Sequence, residues 1–121
     1  MMKTILVVDD MKTQLDLINN YLDEAGYKVL TASDGEEALS KVNQHQPDVI
    51  ITDLVMPEMS GLEFCRKLKK DSATADIPVI AWSTKNRSMD QKWAIKQGVA
   101  AYLVKPCSKE EILEAVKGLT N

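Results

Sequence analysis

The chain has 121 residues, 45% hydrophobic and 27% charged, with a formal net charge of −3. That size describes one ordinary folded domain, too apolar for a disordered chain and large enough to need no disulfide or metal staple. The acidic balance, without a basic cluster, argues against nucleic acid and anionic membrane surfaces as partners.

The first short apolar run, residues 5–8, stops at Asp9-Asp10. It is far too short for a signal peptide or a membrane span. A cytoplasmic chain is therefore expected, with reduced thiols at Cys65 and Cys107. Leu15, Ile18, Leu22 and Ala25 then recur at helical spacing, and Gly26 stands where a helix closes. A second strand at 29–30 runs out into Thr31-Ala32, and Ser33 with Glu36 opens the next helix as a capping box. Its last turn holds His45, the only histidine, read as a solvated residue; a His-rich metal site is excluded. Strand three, 49–51, ends in Thr52-Asp53, and a Ser60/Glu63 box opens helix three. There Cys65 shares core spacing with Leu62 and Leu68. Strand four, 78–82, ends in Trp82-Ser83-Thr84. Strand five, 100–104, ends in Val104-Lys105-Pro106. A Ser108/Glu111 box opens the last helix, whose apolar face is Ile112, Leu113, Val116 and Leu119.

Strands apolar on consecutive positions are buried on both faces. Five β-α repeats of this kind predict a single α/β domain: a doubly wound (βα)5 parallel sheet with helices on both faces and right-handed crossovers. Such sheets bind ligands beyond the carboxyl ends of their strands. Those ends carry Asp9 and Asp10, Asp53, Ser83 and Lys105, whereas strand two ends without a reactive group. Taken singly, each has a plain structural reading. Asp9-Asp10 is a loop and helix-start signal, Asp53 a turn residue, Ser83-Thr84 a turn or N-cap, and Lys105 a solvated lysine. Taken together they put three carboxylates, a hydroxyl and an ammonium at one edge of one sheet. Carboxylates about 4 Å apart repel by about 4 kcal/mol at an effective dielectric near 20, so the cluster calls for cations. Lys105 supplies one charge, and a hard divalent ion such as Mg²⁺ would supply two. An aspartate in that setting can act as a nucleophile toward a phosphoryl group, with Ser83 donating to a phosphoryl oxygen.

At these residues the chain resembles a response-regulator receiver domain of the CheY type. The matching segments are Val7-Val8-Asp9-Asp10, Asp53-Leu54-Val55-Met56-Pro57-Glu58-Met59-Ser60-Gly61, Pro78-Val79-Ile80-Ala81-Trp82-Ser83 and Lys105-Pro106. The resemblance spans essentially the whole chain, 1–121, and implies strand order 2-1-3-4-5. It implies Asp53 as phospho-acceptor and Asp9 and Asp10 as the acidic pair for Mg²⁺, with Mn²⁺ an acceptable substitute. Asp53 and the Val55 backbone carbonyl complete the metal ligands. Ser83 and Lys105 hold the phosphoryl group, Ser83 and Tyr102 form the switch, and Pro106 follows a cis peptide bond. A finer resemblance, carried by Thr84-Lys85, Asp90, Trp93, Gln97-Gly98, Tyr102 and Lys105-Pro106, is to PilH-type regulators of type IV pilus chemosensory systems.

The implied function is a single-domain response regulator of a two-component phosphorelay, not an enzyme beyond its own phosphorylation and dephosphorylation. Its donor would be a CheA-like sensor histidine kinase. Its target would be a protein reading the face of helix four, strand five and helix five, with Lys92, Trp93, Lys96, Gln97 and Tyr102 as candidates. A monomer without an output domain is expected. Trp93 reads equally as a packed helix residue, and the lysines and Gln97 as solvated positions. Departures from the family pattern are Trp82, large beside the site, and Cys107, where a bulky apolar residue is usual. Cys107, nearer the active edge, has a redox-sensitive thiol as its functional reading, with no sequence sign of a depressed thiol pKa. Val55 and Lys85, two beyond the acceptor and the hydroxyl, bear on phosphoryl lifetime. Competing readings are a phosphate-independent interaction module, a phosphate sink, a flavodoxin-like FMN binder and an aspartate-nucleophile phosphatase. Asp9-Asp10 disfavours the FMN binder and Val55 the phosphatase.

Overall fold

The computed structural model describes residues 2–120; the expected domain, 1–121, reaches one residue further at each end, so Met1 and Asn121 lie outside the described residues. Strands and helices alternate strictly: β1 (Thr4–Val8), α1 (Lys12–Glu24), β2 (Lys28–Ala32), α2 (Gly35–His45), β3 (Val49–Asp53), α3 (Gly61–Lys70), β4 (Val79–Ser83), α4 (Ser88–Lys96), β5 (Ala101–Val104) and α5 (Lys109–Thr120). The strands form one parallel sheet in the order β2-β1-β3-β4-β5. The chain therefore steps outward from β1 to β2, then back across β1 to β3. That reversal places a switch point between the carboxyl ends of β1 and β3.

Side-chain alternation divides each apolar run between two cores. Ile5, Val7, Val49, Ile51, Ile80 and Trp82 face one way, packed with Leu15, Ile18 and Leu22 of α1 and Ile112 and Val116 of α5. Leu6, Val8, Ile50, Val79 and Ala81 face the other way, packed with Ala38 and Val42 of α2, Phe64, Cys65 and Leu68 of α3, and Ala94 of α4. The central strands β1, β3 and β4 are buried nearly throughout, whereas the edge strands β2 and β5 are only partly covered. Among the described residues no helix is long and apolar enough to cross a membrane.

Local signals account for most boundaries. Gly26 takes φ 93° after α1, and a Schellman pair closes the helix: Gly26 N–H donates to Asp23 O and Tyr27 N–H to Leu22 O. Ser108 and Glu111 form the full reciprocal box at α5, each backbone N–H donating to the other's side chain at 3.1 Å. Ser60 accepts from Glu63 N–H at α3. The box expected at Ser33/Glu36 is corrected. The cap is Asp34, which accepts from Glu37 N–H at 2.8 Å, and the Glu37 carboxylate reaches back to Ser33 N–H at 2.7 Å. Both sites have a capping oxygen followed three residues later by an acid, so the spacing rule alone fits either register.

Gly61 has a different reason to be glycine. A Cβ there would lie 2.1 Å from the Asp53 carbonyl oxygen and 2.8 Å from Leu54 Cα. The first turn of α3 is thus seated directly on the backbone leaving β3. Gly61→Ala is expected to cost more than about 2 kcal/mol, because backbone rather than a flexible side chain must move. Gly118→Ala in α5, with nothing within 4 Å, is expected to gain up to about 0.5 kcal/mol from helix propensity. Denaturant unfolding of the two variants beside the parent chain checks both signs.

Candidate functional site

Parallel strands end on the same side, so the residues just past β1, β3, β4 and β5 meet at one edge. Carboxylate oxygens of Asp9, Asp10 and Asp53 all lie within 4.8 Å of one another. Lys105 Nζ donates to Asp9 Oδ2 and to Asp53 Oδ2, each at 3.0 Å. Asp9 and Ser83 are fully buried, Asp53 nearly so, and Asp10 is exposed. The Lys105–Pro106 peptide bond is cis.

Three of these strand ends use one local device. Met11 N–H donates to Asp9 Oδ1 at 2.9 Å, Val55 N–H to Asp53 Oδ1 at 3.0 Å, and Lys85 N–H to Ser83 Oγ at 3.1 Å. In each case the side-chain oxygen takes the backbone donor two residues on, where the sheet ladder has run out. For both aspartates this occupies one carboxylate oxygen and fixes its direction, and the second oxygen faces Lys105. The turn reading and the chemical reading of these residues therefore hold together, on different atoms.

Three negative charges against one ammonium leave two uncompensated. Each carboxylate pair at this separation repels by roughly 3 kcal/mol at an effective dielectric near 20. Burial, opposed by the bonds from Met11 N–H and Lys105, holds the Asp9 carboxyl above the usual carboxylate range. The donor set is oxygen only, which suits a hard divalent cation over a soft one.

Tyr102 on β5 donates its hydroxyl to the Lys85 carbonyl at 2.8 Å, linking β5 to the loop after Ser83. On α4 only Ala94 is buried, and Met89, Trp93 and Ile95 are exposed by 71, 51 and 58%. The packed-helix alternative for Trp93 is therefore corrected: the indole lies on the surface, and with Ser88, Met89, Lys92 and Lys96 it lines an open groove. Val55 is also exposed. Cys65 is buried in the core and Cys107 half-buried, both free. Burial pushes the Cys107 thiol up, opposite to what a reactive thiolate needs. Sequence reasoning missed the contact between Lys105 and Trp82, whose ring centroid lies 4.1 Å from the ammonium. The one sequence signal was the unusual size of the residue before Ser83.

A doubly wound sheet with an acidic cluster and a lysine at its switch-point edge defines a signalling receiver, and the chain belongs to the response regulator receiver domain family, matched over residues 5–117. It is 36% identical to the protein PilH of Pseudomonas aeruginosa over 118 residues, covering 98% of each chain. It is also 36% identical to the transcriptional regulatory protein PhoP of Bacillus subtilis, but spans only 49% of that protein. The chemotaxis response regulator CheY4 of Vibrio cholerae superposes with a TM-score of 0.93 at 33% identity, over 98% of this chain and 99% of that one.

Asp10 is exposed and accepts no hydrogen bond among the described residues, so its charge contributes mainly repulsion when no cation is present. Asp10→Asn is expected to melt a few degrees higher than the parent in chelator, about 1 kcal/mol of relief, and to lose most of the gain on adding Mg²⁺. Because the folded-state value of Asp9 is raised, this group favours the fold fully below about pH 4 and progressively less as pH rises through the raised value. Cation binding favours the ionised carboxylate and so competes with protonation. The parent's gain in melting temperature on adding Mg²⁺ is therefore expected to be smaller at pH 5 than at pH 7.5, as thermal scans at both pH values would read.

Proposed function

We propose that the 121 residues act as one receiver domain that accepts a phosphoryl group on Asp53 and passes the signal on by protein contact. The observation that carries this is the Lys105 ammonium held at 3.0 Å between Asp9 and Asp53 at the end of β3. Asp9, Asp10, Asp53 and the Val55 carbonyl would hold Mg²⁺, which supplies charge neutralisation when bound. An Asp53 carboxylate oxygen attacks the phosphorus of a phosphohistidine on a sensor kinase of the CheA kind. The O–P bond forms as the P–N bond breaks, and the imidazole leaves with a proton from solvent. Lys105 then keeps its charge beside the new dianion, and Ser83 turns its O–H to donate to a phosphoryl oxygen, drawing the β4–α4 loop toward the acceptor.

The Lys85 carbonyl of that loop is also the acceptor for Tyr102. Movement of the loop releases the Tyr102 hydroxyl from the Lys85 carbonyl and lets the ring turn, so one two-state element links the acceptor to the α4–β5–α5 face. Weakly buried α4, with its exposed Met89, Trp93 and Ile95, supports that face as the contact for a downstream protein. The full-length likeness to PilH supports an output in pilus-based motility or taxis, in the cytoplasm.

The deciding experiment is intact mass after incubation with acetyl phosphate and Mg²⁺. A gain of one phosphoryl group is expected, absent in chelator and absent in Asp53→Asn. No gain with any donor would favour a phosphate-independent interaction module instead. Val55 is apolar and exposed, so it cannot orient an attacking water. Val55→Asn is expected to shorten the phosphoryl lifetime several-fold, read by decay of the phosphorylated mass after donor removal.

A further inference from the structure

Trp82 and Asp53 are register partners on adjacent strands β4 and β3, so their side chains leave the same face of the sheet side by side. Trp82 is 3% exposed, and the Lys105 side chain is 10% exposed. The ammonium has three N–H donors. Two go to Asp9 and Asp53 at 3.0 Å, and the Trp82 ring centroid lies 4.1 Å away. That is within cation–π range, and tryptophan offers the strongest ring for it.

The indole is a poor choice for packing alone. Its Nε1–H is buried beside the Cys107 thiol, a weak acceptor that it meets at poor alignment, a cost that an aliphatic or phenyl side chain in the same core would avoid. What the indole supplies is a rigid, charge-attracting face under a lysine that has almost no water.

We propose that Trp82 is a positioning residue for Lys105. The ring holds the ammonium at the acceptor through the change from a carboxylate to a phosphoryl ester on Asp53. On phosphorylation the Asp53 carboxylate contact gives way to one with the phosphoryl group, and the ring is the partner expected to stay under the ammonium through that change. Without the ring, a four-carbon stem is free to swing the charge toward Asp9 or solvent. The functional half of this inference rests on the receiver reading above. The contact itself does not.

The test compares Trp82→Phe, which keeps an aromatic face and removes the indole N–H, with Trp82→Leu, which keeps an apolar side chain without a ring. Phosphorylation by acetyl phosphate and Mg²⁺ is followed by intact mass, with thermal melts to confirm folding. The Phe variant is expected within about threefold of the parent and the Leu variant about tenfold slower, the range of a desolvated cation–π contact. In parallel, the Lys105 ε-methylene proton shifts are read by NMR without any phosphodonor. They are expected upfield of an unfolded chain in the parent and in Trp82→Phe, and near the unfolded position in Trp82→Leu. Should Leu fail to fold, Trp82→Met takes its place. Equal rates for parent and Leu, or equal losses for Phe and Leu, would overturn the proposal, as would Lys105 shifts at their unfolded position in the parent. A parent chain that takes up no phosphoryl group would instead overturn the receiver reading, and the ring-current shift would still decide whether the ring holds Lys105.

Discussion

A single ammonium group, Lys105 Nζ, bonds to carboxylates on residues 96 and 52 positions away in the chain, and so ties the ends of β1, β3 and β5 together. Everything at this edge is arranged around it. Asp9 is fully buried and Asp53 nearly so, a situation ionised groups tolerate only when paired. Yet one cation does not balance three carboxylates, and burial, with a smaller contribution from the Asp53 charge, holds the Asp9 carboxyl above its usual range. The two apolar cores on either side of the sheet supply the stability that lets this edge remain electrostatically unfavourable and therefore responsive to added positive charge.

The same edge shows how a loop can be both structure and chemistry. A parallel strand that ends leaves backbone N–H groups without ladder partners, and a short polar side chain at the last strand position or just beyond it takes up the donor two residues on. Asp9, Asp53 and Ser83 all do so. Because a carboxylate has two oxygens, the aspartates complete a turn with one and present the other to Lys105. Ser83 has a single oxygen, which accepts the turn bond through a lone pair and keeps its O–H for donation to a new partner. That O–H stands at the start of the β4–α4 loop.

The helix at the far end of that loop buries fewer residues than the other helices among the described residues. Helix α4 buries only Ala94 and is secured at its carboxyl end: Val99 N–H reaches Ala94 O, and the Gln97 carbonyl takes the Cys65 thiol at 3.6 Å. At its amino end an Arg87–Asp90 pair, its guanidinium exposed and its carboxylate partly covered, stands in for packing, an interaction of small worth near a solvated surface. The helix is thus fastened near α3 and looser near Ser83, the pattern expected of a segment drawn from the low-stability end of a fold.

Much of this was written in consecutive residues. Strand runs, helical spacing, the closing Gly26 and the acidic, hydroxyl and lysine strand ends are local patterns, and local patterns report the conformation of the segment that carries them. The alternation of the segments then implied a parallel sheet, and a parallel sheet brings all strand ends to one side. What the segments do not encode singly is which neighbour each side chain meets. The choice of Asp34 over Ser33 as the cap depended on where β2 actually ended. The exposure of Trp93 depended on how lightly α4 is laid against the sheet. The pairing of Trp82 with Lys105 depended on β4 lying beside both β3 and β5 in register. Those outcomes follow from contacts between residues tens of positions apart, which only the assembled sheet brings within reach.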